Sequence, residues 1–128
     1  MKSIKIACVA LALSIGTAMA GDPPNFFKDT YPSSALKPAW EEYQAVYSDR
    51  GAVNAKMKQL IALGVSAQIP CQYCVLAHAS KARKLGASEE EIKEALAVAS
   101  MVRKWSTVLN GANYDMNKFK AEIGLPTN

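Results

Sequence analysis

A chain of 128 residues, 50% hydrophobic and 20% charged, has the composition of one folded domain. Fifteen Lys and Arg against 11 Asp and Glu give a formal net charge of +4, and the basic residues are interleaved with Glu, which excludes a nucleic-acid footprint. Of the three cysteines, Cys8 lies in the N-terminal apolar run, and if it is removed the remaining pair, three residues apart, cannot build a long-range disulfide framework.

Lys2 and Lys5 precede an uncharged apolar run over residues 6–19 that ends in Ala18-Met19-Ala20. A charged start, an apolar stretch too short to span a bilayer comfortably and small residues before the cut predict a secretory signal peptide over residues 1–20, cleaved after Ala20. The expected product is periplasmic or secreted; an uncleaved N-terminal anchor is the alternative. Cys8 lies before most of the apolar run, with Lys5 where lipid attachment requires an aliphatic residue, so it is expected to leave with the signal. Without Lys2 and Lys5, the remaining 108 residues carry 13 basic and 11 acidic side chains, a net charge of +2. A domain of that size forms one core and gains from burying more surface in an oligomer.

Residues 21–38 contain Pro23, Pro24, Pro32, Ser33, Ser34 and Pro38 and read as an N-terminal arm without regular structure. Phe26, Phe27 and Tyr31 are expected to pin it to the body or to a neighbouring subunit. The helical domain is expected over residues 39–128. Trp40, Tyr43 and Tyr47 recur at helical spacing over residues 39–47, and Asp49-Arg50-Gly51 ends that first helix. Asn54 caps a second helix with apolar positions Met57, Leu60, Ile61, Leu63 and Val65, interrupted at Gln68-Ile69-Pro70. Pro70 is placed in the first turn of a third helix, which carries Cys71, Cys74 and His78 and stops at Gly86. Ser88 and Glu91 form a capping box that opens a fourth helix through Ile92, Leu96, Ala99, Met101 and Val102 toward Trp105. It closes at Asn110-Gly111, with a short break allowed around Ser106-Thr107. A last helix over residues 114–123 ends at Gly124 and Pro126. The chain therefore reads as all-α; Val108-Leu109 is too short an extended run to build a sheet.

At about 100° per residue, Cys71, Cys74 and His78 fall within an arc of about 60° on one helix face. Cys74 and His78 are an i, i+4 pair, so the imidazole can take a proton from the Cys74 thiol, and it is the thiolate that acts as nucleophile. Cys71, at the helix start, is favoured as a thiolate by the dipole and the unpaired N–H groups. The spacing leaves several readings. A thioredoxin-type CxxC follows a β-strand, and the residues before Cys71 are helical in pattern. Covalent haem needs His directly after the second Cys, where Val75 stands. Structural zinc needs four ligands, so a metal module using Cys71, Cys74 and His78 must borrow a carboxylate or water. A structural disulfide over two residues removes little chain entropy. Inert cysteines beside a satisfied core histidine are the remaining alternative.

The segment Lys56-Met57-Lys58-Gln59-Leu60-Ile61-Ala62-Leu63, then Ile69-Pro70-Cys71-Gln72-Tyr73-Cys74-Val75-Leu76-Ala77-His78, resembles the alkylhydroperoxidase D and carboxymuconolactone decarboxylase superfamily. The likeness continues through Leu85-Gly86-Ala87-Ser88-Glu89-Glu90-Glu91-Ile92 to Ala99 and the stretch from Trp105 to Gly111. It implies an all-helical fold with the CxxC at the start of a helix, a homo-oligomer (trimer or hexamer) and a cofactor-free, metal-free peroxidase working through a dithiol–disulfide cycle. It further implies Cys74 as the peroxidatic nucleophile, Cys71 as the resolving disulfide partner and His78 in the proton relay. The helix-dipole argument favours Cys71 instead; Cys74 is assigned because it has the histidine. Where the family's peroxidatic motif has Glu, this chain has Gln59, which can orient a group but not exchange a proton. Glu41, Glu42 or a water is a candidate substitute, and Tyr73 and Trp105 are candidate lining residues, with core packing the favoured role for Trp105. The expected substrate is a hydroperoxide or a disulfide. The expected reductant is an exported dithiol or a small thiol, since the partner proteins of cytosolic relatives are absent outside the cytosol. A non-catalytic scaffold of the same fold, with an inert Cys71–Cys74 disulfide, is the alternative function.

Overall fold

The computed structural model describes residues 21–127, so the expected signal peptide and Cys8 lie outside the described residues. Every regular element among them is a helix: α1 Asn25–Thr30, α2 Ser33–Tyr47, α3 Ala55–Gln68, α4 Gln72–Lys84, α5 Glu89–Gly111 and α6 Met116–Glu122. The chain divides into a compact unit ending at Glu42 and another beginning at Tyr43.

The first unit corrects the expectation of an irregular arm. Tyr31 and Pro32 separate two helices, and α2 starts at Ser33, six residues before the helix expected from sequence. The Pro32 carbonyl accepts from Ala35 N–H at 3.0 Å, which begins the turn. Pro38 lies inside α2, where its missing N–H leaves the Ser34 carbonyl without its i+4 donor. Ser34 is exposed, so solvent can meet that carbonyl. The aromatic side chains pack within the unit: Phe27 stacks on Tyr31 at 5.5 Å and meets the edge of Trp40 at 5.4 Å, and Trp40 Nε1 donates to the Gly21 carbonyl at 2.7 Å.

In the second unit, α3 is capped twice. Asn54 Oδ1 accepts from Met57 N–H at 2.8 Å, and Asp49 Oδ1 accepts from Ala55 N–H at 2.9 Å. The helix packs against α4 and α5 around Leu60, Leu63, Ala82, Ala87 and Ile92, with Val75, Ala79, Ala95 and Leu96 packed on that cluster. α4 ends as the sequence indicates. Gly86, at φ +83°, donates to the Arg83 carbonyl, and Ala87 donates to Ala82, a pattern whose left-handed residue is cheap only for glycine. The Ser88 and Glu91 capping box is formed, with bonds of 2.8 and 3.1 Å, and α5 runs unbroken through Ser106 and Thr107. Lys56 pairs with Glu91 at 2.6 Å, and Arg103 donates to the Gln68 side chain at 2.6 Å, so α3 and α5 run parallel with both ends tied. Asp115 caps α6, which starts two residues later than expected.

Leu63 is fully buried at the meeting point of three helices. Leu63→Ala should lower unfolding free energy by about 3 kcal/mol, within the range for buried leucine truncation, whereas Ser88→Ala should cost only about 1 kcal/mol. Urea denaturation followed by circular dichroism measures both.

Candidate redox site

The connection from α3 to α4 is only Ile69, Pro70 and Cys71. It is held by two backbone bonds, Ile69 N–H to the Val65 carbonyl at 3.1 Å and Cys71 N–H to the Ser66 carbonyl at 3.0 Å. Because Cys71 turns back to Ser66, the helix begins at Gln72, two residues after the Pro70 that the sequence places inside its first turn. Cys71 is the N-cap and Pro70 stands before it, rather than in the first turn. Cys71 Sγ accepts from Cys74 N–H at 3.2 Å, the bond that an Asn or Ser oxygen makes at other caps. Cys71 and Cys74 are joined in a disulfide with Cα atoms 5.3 Å apart.

Cys74 and His78 line one cavity of about 510 Å³ together with Tyr47, Lys58, Ile61 and Val65; Cys71 does not line it. Gln59, 3% exposed on α3, places Oε1 2.8 Å from His78 Nδ1. An amide oxygen only accepts, so Nδ1 carries the hydrogen and Nε2 is left with its lone pair. The Tyr47 ring stacks on the imidazole at 5.4 Å. Burial, then the charge of Lys81, holds the His78 pKa below its usual value. Burial, then neighbouring Tyr43, raises that of Tyr47. Lys81 in turn donates to the Tyr43 hydroxyl and sits over its ring at 4.7 Å.

The structure thus brings together Cys71, Cys74, His78 and Gln59. It does not bring Tyr73 or Trp105 to the cavity: Tyr73 is 90% exposed, and Trp105, at 51%, is not a core residue. Glu41 and Glu42 are exposed, Glu41 facing Lys37 at 3.8 Å, while the partner of Nδ1 is Gln59 itself. Tyr47 and Lys58 are the site neighbours that sequence reasoning missed. Tyr47 was visible only as part of a helical stripe, and its separation from His78 by 31 positions carries no local signal. Among the described residues, no three His, Cys, Asp or Glu side chains gather as a metal-binding group.

Residues 35–114 match the carboxymuconolactone decarboxylase family. The chain belongs to that family. The fold of this family member is similar to the crystal structure of the alkylhydroperoxidase AhpD core from Rhodospirillum rubrum, with a TM-score of 0.62 and 25% identity, covering 66% of this chain and 62% of that one. A protein of Paracoccus denitrificans described as "Uncharacterized protein 4 in cox locus" is 40% identical over 60 residues, 47% of this chain and 53% of its own. The chain therefore spans about half the length of that curated relative. The family assignment agrees with the resemblance read from the CxxC segment and its flanking helices.

His78 is the one histidine of the chain, so its titration can be followed by proton NMR without assignment ambiguity. Its midpoint should lie below about 6.5, the value of a free imidazole. Gln59→Glu should move it upward, because a carboxylate beside Nδ1 favours the imidazolium. A folded pKa below the unfolded one means that the unfolded chain binds the proton more readily, so this group's contribution to stability is full above about 6.5 and declines as pH falls through that window.

Proposed function

We propose that this family member is a dithiol peroxidase of the cell envelope that reduces hydroperoxides through Cys71 and Cys74. The observation that carries this reading is that Cys74 and His78 line one cavity while Cys71, outside its lining, is already bonded to Cys74. In the reduced protein, His78 Nε2 takes the Cys74 proton and the thiolate attacks the terminal oxygen of the hydroperoxide. The O–O bond breaks, the proton passes to the departing alkoxide to give an alcohol, and Cys74 becomes a sulfenic acid. Cys71 then attacks the Cys74 sulfur, water leaves and the disulfide forms. An external dithiol, or two small thiols, returns two electrons and two protons.

Gln59 holds the Nδ1–H tautomer without joining the proton transfer, so the relay is confined to Nε2. The N-cap position of Cys71 favours its thiolate, which suits a sulfur that must attack the sulfenic acid quickly. Cys74 is the peroxidatic sulfur in this reading because it has both the cavity and the base. The signal-like first twenty residues are the basis for placing the protein in the cell envelope.

Homo-oligomer formation, as a trimer or hexamer, belongs to the same proposal. Val98, Met101, Val102, Trp105 and Val108 leave an exposed apolar stripe at helical spacing along α5. Sedimentation equilibrium should give a mass of several chains, and Val102→Glu should shift it toward one.

Adding one equivalent of peroxide to the reduced protein should consume two thiols per chain, counted with a thiol reagent; unchanged thiols would refute the peroxidase reading in favour of an inert pair. Cys71→Ser should halt at a sulfenic acid on Cys74, trapped by a dimedone-type probe and located by mass spectrometry. Sulfenic acid found only at Cys71 in Cys74→Ser would reverse the assignment. His78→Ala should slow thiol oxidation by about 100-fold, the lower range for loss of a general base.

A further inference from the structure

Lys58 lines the cavity that holds Cys74 and His78. Its Nζ donates to the Ser48 carbonyl at 2.7 Å and the Arg50 carbonyl at 3.1 Å, which fixes the ammonium where α2 gives way to the following loop. An ammonium has three donors, so these two bonds leave one. No Asp or Glu lines the cavity. Among the described residues, neither Lys58, which lines the cavity, nor Lys81, whose charge acts on His78, is in an ion pair. The rest of the wall is hydrocarbon, chiefly Val46, Val53, Ile61, Val65 and Ile69, and all five are exposed in the isolated chain. A cavity of about 510 Å³ is of the size that small ligands occupy.

A held cation without an anion, beside an uncovered hydrocarbon wall, matches a ligand with one negative end and one apolar end. We propose that this cavity binds an amphipathic carboxylate, with the carboxylate at Lys58 and the hydrocarbon chain along Ile61, Val65 and Ile69. The inference rests on the proposed function for its consequence: the hydroperoxide reduced at Cys74 is carried on an acyl-type carboxylate rather than on a neutral alkyl group. Because the ammonium is already immobilised by two carbonyls, the carboxylate meets a preorganised charge.

Calorimetric titration of the full chain in its disulfide form, with octanoate and 1-octanol as probes, separates the anionic end from the chain. Octanoate should bind at least about tenfold more tightly than 1-octanol. Lys58→Met should bring the two probes within about twofold of each other, and Lys58→Arg should restore the preference. Equal affinity of the unsubstituted protein for both probes, or no binding of octanoate, overturns the proposal without reference to any variant. A preference that survives Lys58→Met in a folded protein overturns it as well. The disulfide form has no free thiol at this site, so binding is read apart from turnover. An octanoate preference in a protein that fails to reduce any peroxide would sustain the ligand site and refute the peroxidase alone.

Discussion

A primary amide shut away from water must be bonded or cost about 1–3 kcal/mol, and Gln59 is such an amide. Its oxygen is met by His78 Nδ1, so the bond that satisfies α3 also sets how α4 is rotated against it. A rotation of α4 by one residue, about 100°, would carry His78 and Cys74 off the cavity together. The buried residues Ala55, Gln59, Leu63 and Ser66 share one stripe of α3, and each end of the stripe is tied down. Asp49 holds the Ala55 N–H, and the Ser66 carbonyl holds the Cys71 N–H. The polar contact and the fully buried Leu63 thus lie one turn apart on the same face, and the disulfide site inherits its geometry from the packing of α3.

Signals confined to a few neighbouring residues were legible in the sequence. Asn54, Ser88 with Glu91, and Gly86 act as the residue types predict, because a cap is a local contest for backbone donors and acceptors. The CxxC with its histidine was legible for the same reason, and the family followed from it. The early start of α2 was not. Pro38 and two serines argue against a helix locally, and aromatic packing among Phe27, Tyr31 and Trp40 accompanies one that forms regardless. Cys71 as an N-cap was out of reach, since nothing in the sequence says that its N–H returns to Ser66. Tyr47 and Lys58 come to the site by tertiary folding, which spacing along one helix cannot reveal.

The second unit has a small centre for its length. Five buried side chains form its core cluster. Among the described residues, α5 packs only on α3 and α4. Its last side-chain tie to α3 is Arg103, at the end of that parallel helix, so the following eight residues of α5, about 12 Å of helix, run past their neighbour. The exposed hydrocarbon of α5 adjoins the groove between α3 and α5, and Ile61, Val65 and Ile69 line both this groove and the disulfide cavity. One continuous apolar surface therefore reaches from the protruding helix to the edge of the disulfide cavity.

The sulfur of Cys71 takes part in two structures at once, a covalent bridge and the first hydrogen bond of α4. A disulfide sulfur is a weak acceptor and a thiolate a strong one, so the two oxidation states do not support the helix equally. By thermodynamic closure, whatever the reduced sulfur adds to helix stability is added equally to the driving force for opening the bridge. Electron affinity at Cys71 and Cys74 is in this way partly a property of the backbone, written into the direction of the N–H groups at the head of α4.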